Sequence, residues 1–256
     1  MNALERFAEW LANHRHRDPK YGHVYKYHSR SDAHSIALCT LVAEDILSIC
    51  PSLREQASAG RIAFGINIGH IWPNGKKKTI DLAIGRPQQL DPEGSPIKGF
   101  PKAAELSEVF ISCEAKTVMT EHKKSQPRIF DELGSSHEIV HQGRPDAIAV
   151  GITMVNIADR FASPLRQKSR KNIFFLDHRQ PDVAASMIQH LQGLPIRDAV
   201  GQAGFDAYCT FVVNTDNIGG VSLWTASPAP QPGEKDHYQT AIGRVTRFYS
   251  ERFGSV

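Results

Sequence analysis

The sequence predicts an α/β protein in which helices flank a mixed central β-sheet. Helical segments alternate along the chain with β-rich apolar runs, which is the pattern of an α/β domain. Asn74-Gly75 lies between two of these runs and predicts an antiparallel hairpin. Residues 146–158 form a continuous apolar run, which is typical of an interior strand. Hairpin and interior strand together favour a sheet with both parallel and antiparallel pairs.

After a short first helix, the predicted elements follow in the order helix, hairpin, strand, helix, strand, helix, strand, helix. The predicted helices cover residues 3–13, 31–49, 126–142, 180–195 and 237–253. The predicted strands cover residues 61–72, 77–85, the run that begins at 108, 146–158 and 205–216, with 172–177 as a short strand or loop. Pro51 ends the second helix, and Gly143 with Pro145 ends the third.

No repeat, low-complexity tract or linker divides the chain. We therefore predict one domain over residues 1–256, with a core at about 31–220. The C-terminal helix at 237–253 is expected to pack on that core or at a dimer interface.

Composition excludes several classes of protein. The hydrophobic content of 41% and the charged content of 22% are ordinary for a globular chain. No window approaches the roughly 18 consecutive apolar residues of a membrane span, and the N-terminus lacks the apolar segment of a signal peptide. The four cysteines form no CxxC pair, so neither a zinc ribbon nor a disulfide framework is indicated. We expect a cytoplasmic protein with no membrane partner.

Positive charge is small in total but clustered. The formal net charge is +3, and basic residues gather in four segments, at 14–20, 75–78, 122–124 and 166–171. One such cluster is most simply a solvated loop. Four in one chain favour a polyanionic partner.

The segment "EVFISCEAKTVMTEHKK", residues 108–124, predicts a chemical site. It begins as a buried strand and then places Glu114 and Lys116 two residues apart, so that both face the same side. Asp81 interrupts another apolar β-run, where an uncompensated carboxylate would be costly to bury. A divalent metal would compensate this charge, with Asp81, Glu114 and the carbonyl of Ala115 as ligands. Such hard oxygen ligands suit Mg²⁺.

An Asp on one strand followed by Glu-x-Lys at the end of the next resembles the PD-(D/E)xK nuclease superfamily. Asp81, Glu114 and Lys116 match its signature, and the helix, hairpin and strand order over about 31–158 is similar. Ile80 stands where the pattern has Pro. Chain size and basic loops are most similar to a type II restriction endonuclease. The resemblance implies a restriction-endonuclease-like core, Mg²⁺-dependent hydrolysis of double-stranded DNA, and a homodimer.

Further residues are assigned from their position relative to this triad. Glu44 lies on the helix before the hairpin and is expected to add a catalytic carboxylate, as the superfamily often does. The predicted DNA contacts surround the start of the helix that follows the triad or lie in the last basic cluster. They are His122, Lys123, Lys124, Ser125, Arg128, Ser135, Ser136, His137, Arg166, Lys168, Arg170 and Lys171.

Other readings stay open from the sequence. Residues 137–141, "HEIVH", match the HExxH pattern of zinc metallopeptidases, with Glu138 as general base. The helix is predicted to end just after His141, which gives such a metal site poor support. A DNA-binding protein without catalysis is another alternative. For the triad itself, the simplest alternative is a surface ion pair between Glu114 and Lys116, with Asp81 at the rim of the hairpin.

Overall fold

The computed structural model describes residues 1–255, and the last residue of the predicted domain, 256, lies outside them. The helices are α1 (Ala3–Asn13), α2 (Ala33–Ile49), α3 (Pro51–Ser58), α4 (His122–Gly143), α5 (Asp182–Leu191) and α6 (Tyr238–Phe253). The strands are β1 (His16–Arg17), β2 (Val24–Tyr25), β3 (Ala63–Ile71), β4 (Lys77–Leu90), β5 (Ala103–Val118), β6 (Ile148–Asn156), β7 (Arg160–Phe161), β8 (Leu176–Asp177), β9 (Ala207–Asn214) and β10 (Ser222–Trp224).

A six-stranded mixed sheet forms the centre of the molecule, in the order β10-β9-β6-β5-β4-β3. Strands β3, β4 and β5 are antiparallel neighbours, whereas β5, β6 and β9 run parallel. The predicted α/β class with a mixed sheet flanked by helices is confirmed. The narrower assignment to a restriction-endonuclease core remains a prediction.

Two apolar clusters cover the two faces of this sheet. One joins the sheet to α1, α2, α3 and α6, and includes Leu82 and Cys113. The other joins it to α4 and α5, and includes Ile80 and Leu133. Strand β6 is buried along its whole length, as its continuous apolar sequence predicts. The burial of apolar side chains on both faces is therefore the main stabilisation of the sheet.

Several element boundaries differ from the predicted ones. Helix α4 begins at His122 and continues through Pro127, whereas the sequence predicted a start at residue 126. Pro51 ends α2 as predicted, but it also opens α3, which the sequence did not reveal. Pro is tolerated in the first turn of a helix because its missing N–H has no intrahelical partner there.

No single helix among residues 1–255 has the length and apolar composition of a membrane span. Helices α2 and α3 meet that requirement only as a pair, and they are bent by 104° relative to each other.

Candidate active site

The candidate site lies where β4 and β5 separate. Their antiparallel pairing ends at Leu82 and Cys113, so that Asp81 and Glu114 are the next residues on the two strands. Beyond this point β4 continues its pairing with β3, and β5 pairs with β6, where Glu114 lies opposite Gly151. The edges of β4 and β5 that face each other are unpaired from here on. The two carboxylates therefore stand at the head of a gap in the sheet.

The backbone of β4 is irregular at Asp81. Ile80 packs in the α4–α5 cluster and Leu82 in the opposite cluster, although residues two apart in a regular strand share a face. On the neighbouring strand, Asn67 lies between the paired positions and adopts a left-handed φ of 52°. Asn tolerates this conformation better than most residues. At Asp81 the side chains of β4 therefore change the face of the sheet on which they lie.

Asp81 closes the gap with a side-chain contact to the backbone. Its Oδ2 accepts a hydrogen bond from the N–H of Ala115 at 2.7 Å. Because the N–H and C=O of one strand residue point to the same edge, the Ala115 carbonyl also faces the gap. Burial, followed by repulsion from Glu114, raises the pKa of Asp81. Within residues 1–255 no basic side chain lies within ion-pair distance of Asp81.

Glu114 is held by two ammonium groups. Its Oε1 lies 2.7 Å from Lys116 Nζ, and its Oε2 lies 2.8 Å from Lys78 Nζ. Ser136 of α4 donates a longer hydrogen bond of 3.4 Å to the same Oε2. Burial opposes ionisation of this carboxylate, but the two ammonium groups overcome it and lower the pKa of Glu114. Glu114 is therefore ionised at neutral pH.

Lys116 lies between two carboxylates. Besides Glu114, it contacts Glu132 of α4, whose Oε2 is 3.2 Å from Lys116 Nζ. Burial opposes the charge on Lys116, yet the two carboxylates raise its pKa. Glu132 also binds Arg128 at 2.7 Å, so α4 aligns a second cation beside the triad. Lys116 keeps its proton at neutral pH and acts as a hydrogen-bond donor.

Sequence reasoning missed two residues of this site. The sequence indicates only that Lys78 belongs to the basic segment 75–78, whereas in the fold it reaches across the gap to Glu114. Glu132 received no role, although its spacing from Arg128 is the i, i+4 spacing of a helical ion pair. That spacing was the one available signal for Glu132. The sequence carries no comparable signal for Lys78, because its contact with Glu114 depends on the separation of β4 from β5.

The residues of this gap fit Mg²⁺. Two carboxylates and a carbonyl converge there, and Lys116 and Lys78 compensate the charge of Asp81 only in part, since burial and Glu114 raise its pKa. Within residues 1–255 no group of three or more His, Cys, Asp or Glu side chains has the arrangement of a metal centre. Mg²⁺ does not require one, because it is usually bound through one or two carboxylates and keeps several waters.

The structure corrects three of the predicted DNA contacts. His122, Ser136 and His137 are buried, at 2%, 3% and 4% exposure. His122 bonds to the carbonyl of Asn156, and burial lowers its pKa to about 4, so it is neutral at physiological pH. The assignment of these three side chains to the DNA surface was wrong, because each faces the protein interior. Ser136 instead lines the candidate site.

The remaining predicted contacts are accessible. Ser125 is half-buried, and the others are exposed: Lys123, Lys124, Arg128, Ser135, Arg166, Lys168, Arg170 and Lys171. Arg166 lies 3.1 Å from Glu121, the residue just before α4, which brings the last basic cluster beside the start of that helix. Two cationic segments that are distant in sequence thus meet at one end of the sheet, close to the C-terminal end of β5.

Glu44 is not brought to the triad. It forms an ion pair with Arg6 of α1, and its side chain is 45% exposed. Arg6 also binds Asp45, at 2.7 Å. These contacts join α1 to α2, so the structure gives Glu44 a part in helix packing in place of the predicted catalytic role.

The HExxH segment lies on the last turns of α4, as predicted, but its side chains have other partners. His141 Nε2 lies 3.0 Å from Asp206, which also binds Arg197 and Arg252. The ring of His137 packs edge-on against Phe205, with the ring centroids 5.0 Å apart. Two guanidinium groups beside Asp206 would repel a zinc ion, so this geometry favours a structural role for the segment.

The chain matches no protein-family model, no curated protein and no solved structure in the comparisons made. The geometry of the site is therefore the basis for inferring the function.

Proposed function

We propose that this protein is a Mg²⁺-dependent endodeoxyribonuclease, and more narrowly a site-specific restriction endonuclease of the PD-(D/E)xK type. The observation that supports it best is the meeting of Asp81 and Glu114 where β4 and β5 separate, with Lys116 bound to Glu114. The three residues that the sequence singled out are neighbours in the fold. A surface ion pair alone would not require a second, half-buried carboxylate beside it.

The proposed roles follow from the contacts of each residue. Asp81, Glu114 and the carbonyl of Ala115 would hold Mg²⁺, which when bound polarises the scissile phosphate and lowers the pKa of a coordinated water. Lys116 remains protonated, so it orients the attacking water and donates hydrogen bonds to the charge that develops on phosphorus oxygens. Glu132 positions Lys116, and Arg128 offers a cation to the neighbouring phosphate.

The proposed partner is double-stranded DNA, bound by the exposed cations at the start of α4 and in residues 166–171. Contacts with phosphates make DNA affinity fall as salt rises. Cleavage of both strands favours a homodimer, because two sites related by a two-fold axis match a palindromic duplex. The four cysteines are free and buried, which supports the proposal of a reducing, cytoplasmic compartment.

Plasmid cleavage tests this proposal. Supercoiled and phage DNA, methylated and unmethylated, are incubated with the protein in Mg²⁺ or in EDTA, and the products are separated on a gel. We expect discrete Mg²⁺-dependent fragments from the wild type and none from Asp81→Asn, Glu114→Gln or Lys116→Ala. Glu138→Gln is the matched control, since it removes an exposed carboxylate of α4 and would also remove the general base of a zinc peptidase.

Each alternative function predicts a different result. A zinc peptidase requires loss of activity on a protein substrate in Glu138→Gln and full activity in Lys116→Ala. A non-catalytic DNA-binding protein predicts salt-sensitive affinity with no cleavage in any divalent metal, and that result would refute the nuclease.

A further inference from the structure

Residues 162–175 form a cationic loop between β7 and β8, here called the basic loop. Its ends are joined by the β7–β8 pairs, Arg160 with Asp177 and Phe161 with Leu176. The loop carries four cations, Arg166, Lys168, Arg170 and Lys171, and no acidic residue. Two of its large apolar side chains are exposed, Leu165 at 51% and Phe174 at 43%. Exposed apolar residues alone need no functional explanation, but the backbone of Phe174 is also held in a fixed position.

A buried glutamine fixes the position of Phe174. The side-chain amide of Gln167 donates to the carbonyls of Ser163 and Phe174, at 3.0 and 2.9 Å. Its Oε1 accepts from the backbone N–H of Phe174 at 2.8 Å. Both backbone groups of Phe174 are thus bound by one side chain. The loop presents an aromatic ring to solvent on an ordered backbone.

Cations accompany the aromatic rings of this loop. The ammonium of Lys168 lies 5.5 Å from the ring centroid of Phe174. The guanidinium of Arg160 lies 4.3 Å from the ring centroid of the next residue, Phe175. An exposed ring with adjacent cations is the arrangement by which proteins bind single-stranded nucleic acid: the base stacks on the ring and the cations contact phosphates.

Contacts of Arg166, Ser169 and Arg170 hold the middle of the basic loop against the rest of the molecule. Arg166 binds Glu121 at 3.1 Å, just before α4. The carbonyl of Ser169 accepts from His23 Nε2 at 2.7 Å, and Arg170 Nε donates to the carbonyl of Lys20 at 3.3 Å. The loop is thereby attached near the end of β5, the strand that carries Glu114 and Lys116.

We propose that the basic loop binds a DNA strand that has an unpaired base, which stacks on Phe174 while the loop cations contact the flanking phosphates. This inference extends the proposed nuclease function, because it assigns to the enzyme a preference for DNA that is single-stranded or locally opened beside the cut. Phe174 contributes affinity that does not depend on salt, whereas Lys168 contributes affinity that does.

Fluorescence anisotropy with a labelled single-stranded oligonucleotide tests this inference. Binding is measured in EDTA over a series of salt concentrations, so that cleavage cannot interfere. We expect Phe174→Ala and Phe174→Leu to weaken binding by about 5- to 150-fold, as loss of one stacked base predicts. The slope of log affinity against log salt should stay unchanged in both. Phe174→Tyr, which keeps the ring, should bind as the wild type does.

Two further variants serve as controls. Ile71→Ala removes a side chain that is 65% exposed on β3 and should not change affinity. Lys168→Ala should reduce the magnitude of the salt slope by about 0.7, as loss of one phosphate contact predicts. Thermal unfolding of each variant establishes that the fold is retained.

The inference is overturned if Phe174→Ala binds like the wild type, or if Ile71→Ala weakens binding equally. Its failure is distinguishable from failure of the nuclease proposal, because cleavage is measured separately in Mg²⁺. A wild type that cuts DNA while Phe174→Ala retains full affinity refutes only the stacking. Binding that depends on Phe174, without cleavage in any metal, refutes only the nuclease.

Discussion

The substitution Asp81→Asn should stabilise the fold and abolish the response to Mg²⁺. Burial and the neighbouring Glu114 raise the pKa of Asp81, so its ionised form is unfavourable in the native state. A carboxyl group with a raised native pKa stabilises the fold at low pH, and this contribution is lost as pH rises through that pKa. At neutral pH the charge therefore costs stability, and asparagine removes it. The asparagine oxygen can still accept the N–H of Ala115.

The size of the effect follows from the position of the two carboxylates. Two like charges about 5–8 Å apart repel by about 2–3 kcal/mol at an effective dielectric constant near 20. Lys78 and Lys116 offset part of this repulsion through Glu114. We expect a net gain of about 0.5–2 kcal/mol, the range typical of single stabilising substitutions. For a chain of this size that corresponds to an increase in Tm of about 1–8 °C.

Differential scanning fluorimetry at several pH values, with and without Mg²⁺, measures both effects. The stabilisation by Asp81→Asn should be largest at neutral pH and disappear in acid, where the wild-type carboxyl is protonated. Mg²⁺ at ten times its Kd should stabilise the wild type by about 1.4 kcal/mol and leave Asp81→Asn unchanged. A destabilised Asp81→Asn protein, or one that responds to Mg²⁺ as the wild type does, would refute the account of this carboxylate pair.

Three other substitutions have distinct expected outcomes. Glu114→Gln should destabilise the metal-free protein by about 1–3 kcal/mol at pH 7, because Lys78 loses its carboxylate partner and Lys116 keeps only Glu132. Because the pKa of Glu114 is lowered, the difference in free energy of unfolding between the wild type and Glu114→Gln should vanish as pH falls through that pKa. Urea unfolding measures this difference, and a difference independent of pH would contradict the assignment. Lys78→Ala should lower the Mg²⁺ concentration that gives half the maximal Tm shift, since Lys78 competes for one carboxylate oxygen; an unchanged midpoint would argue against that competition. Asp206→Asn should cost about 3–5 kcal/mol in urea unfolding, because it leaves the buried Arg197 unpaired, and a cost below about 1 kcal/mol would show that this ion pair is dispensable.

Local sequence patterns predicted the main elements of this fold. Asn74-Gly75 predicted the β3–β4 hairpin, and Gly75 adopts the positive φ of 80° that such a turn requires. The apolar run at 146–158 became the fully buried β6. Both signals are local, because turn chemistry and continuous hydrophobicity depend on adjacent residues.

The candidate site was predicted in part. Asp81, Glu114 and Lys116 were identified because charged residues at the end of an apolar strand are costly without compensation. Their meeting depends on the register of β4 against β5, which the sequence does not specify. The reach of Lys78 across the gap depends on the same register.

The errors arose from long-range burial. His122 looked like a surface cation among lysines, but the carbonyl of Asn156 lies beside it in the fold. His137 has a polar sequence context, yet α4 turns it toward Phe205. The resemblance assigned Glu44 to the site because it lies on the helix before the hairpin, whereas in the fold it pairs with Arg6 of α1. In each case the deciding partner is distant in sequence.

The cleavage rate of supercoiled plasmid DNA in saturating Mg²⁺, compared between the wild type and Lys116→Ala, tests the central claim most directly. Loss of a positioned hydrogen-bond donor at the developing charge predicts a rate lower by about 10²–10³-fold, with DNA affinity retained. Glu138→Gln should cut at the wild-type rate. Equal rates for the wild type and Lys116→Ala, or no cleavage by the wild type, would contradict the assignment of this site to phosphodiester hydrolysis.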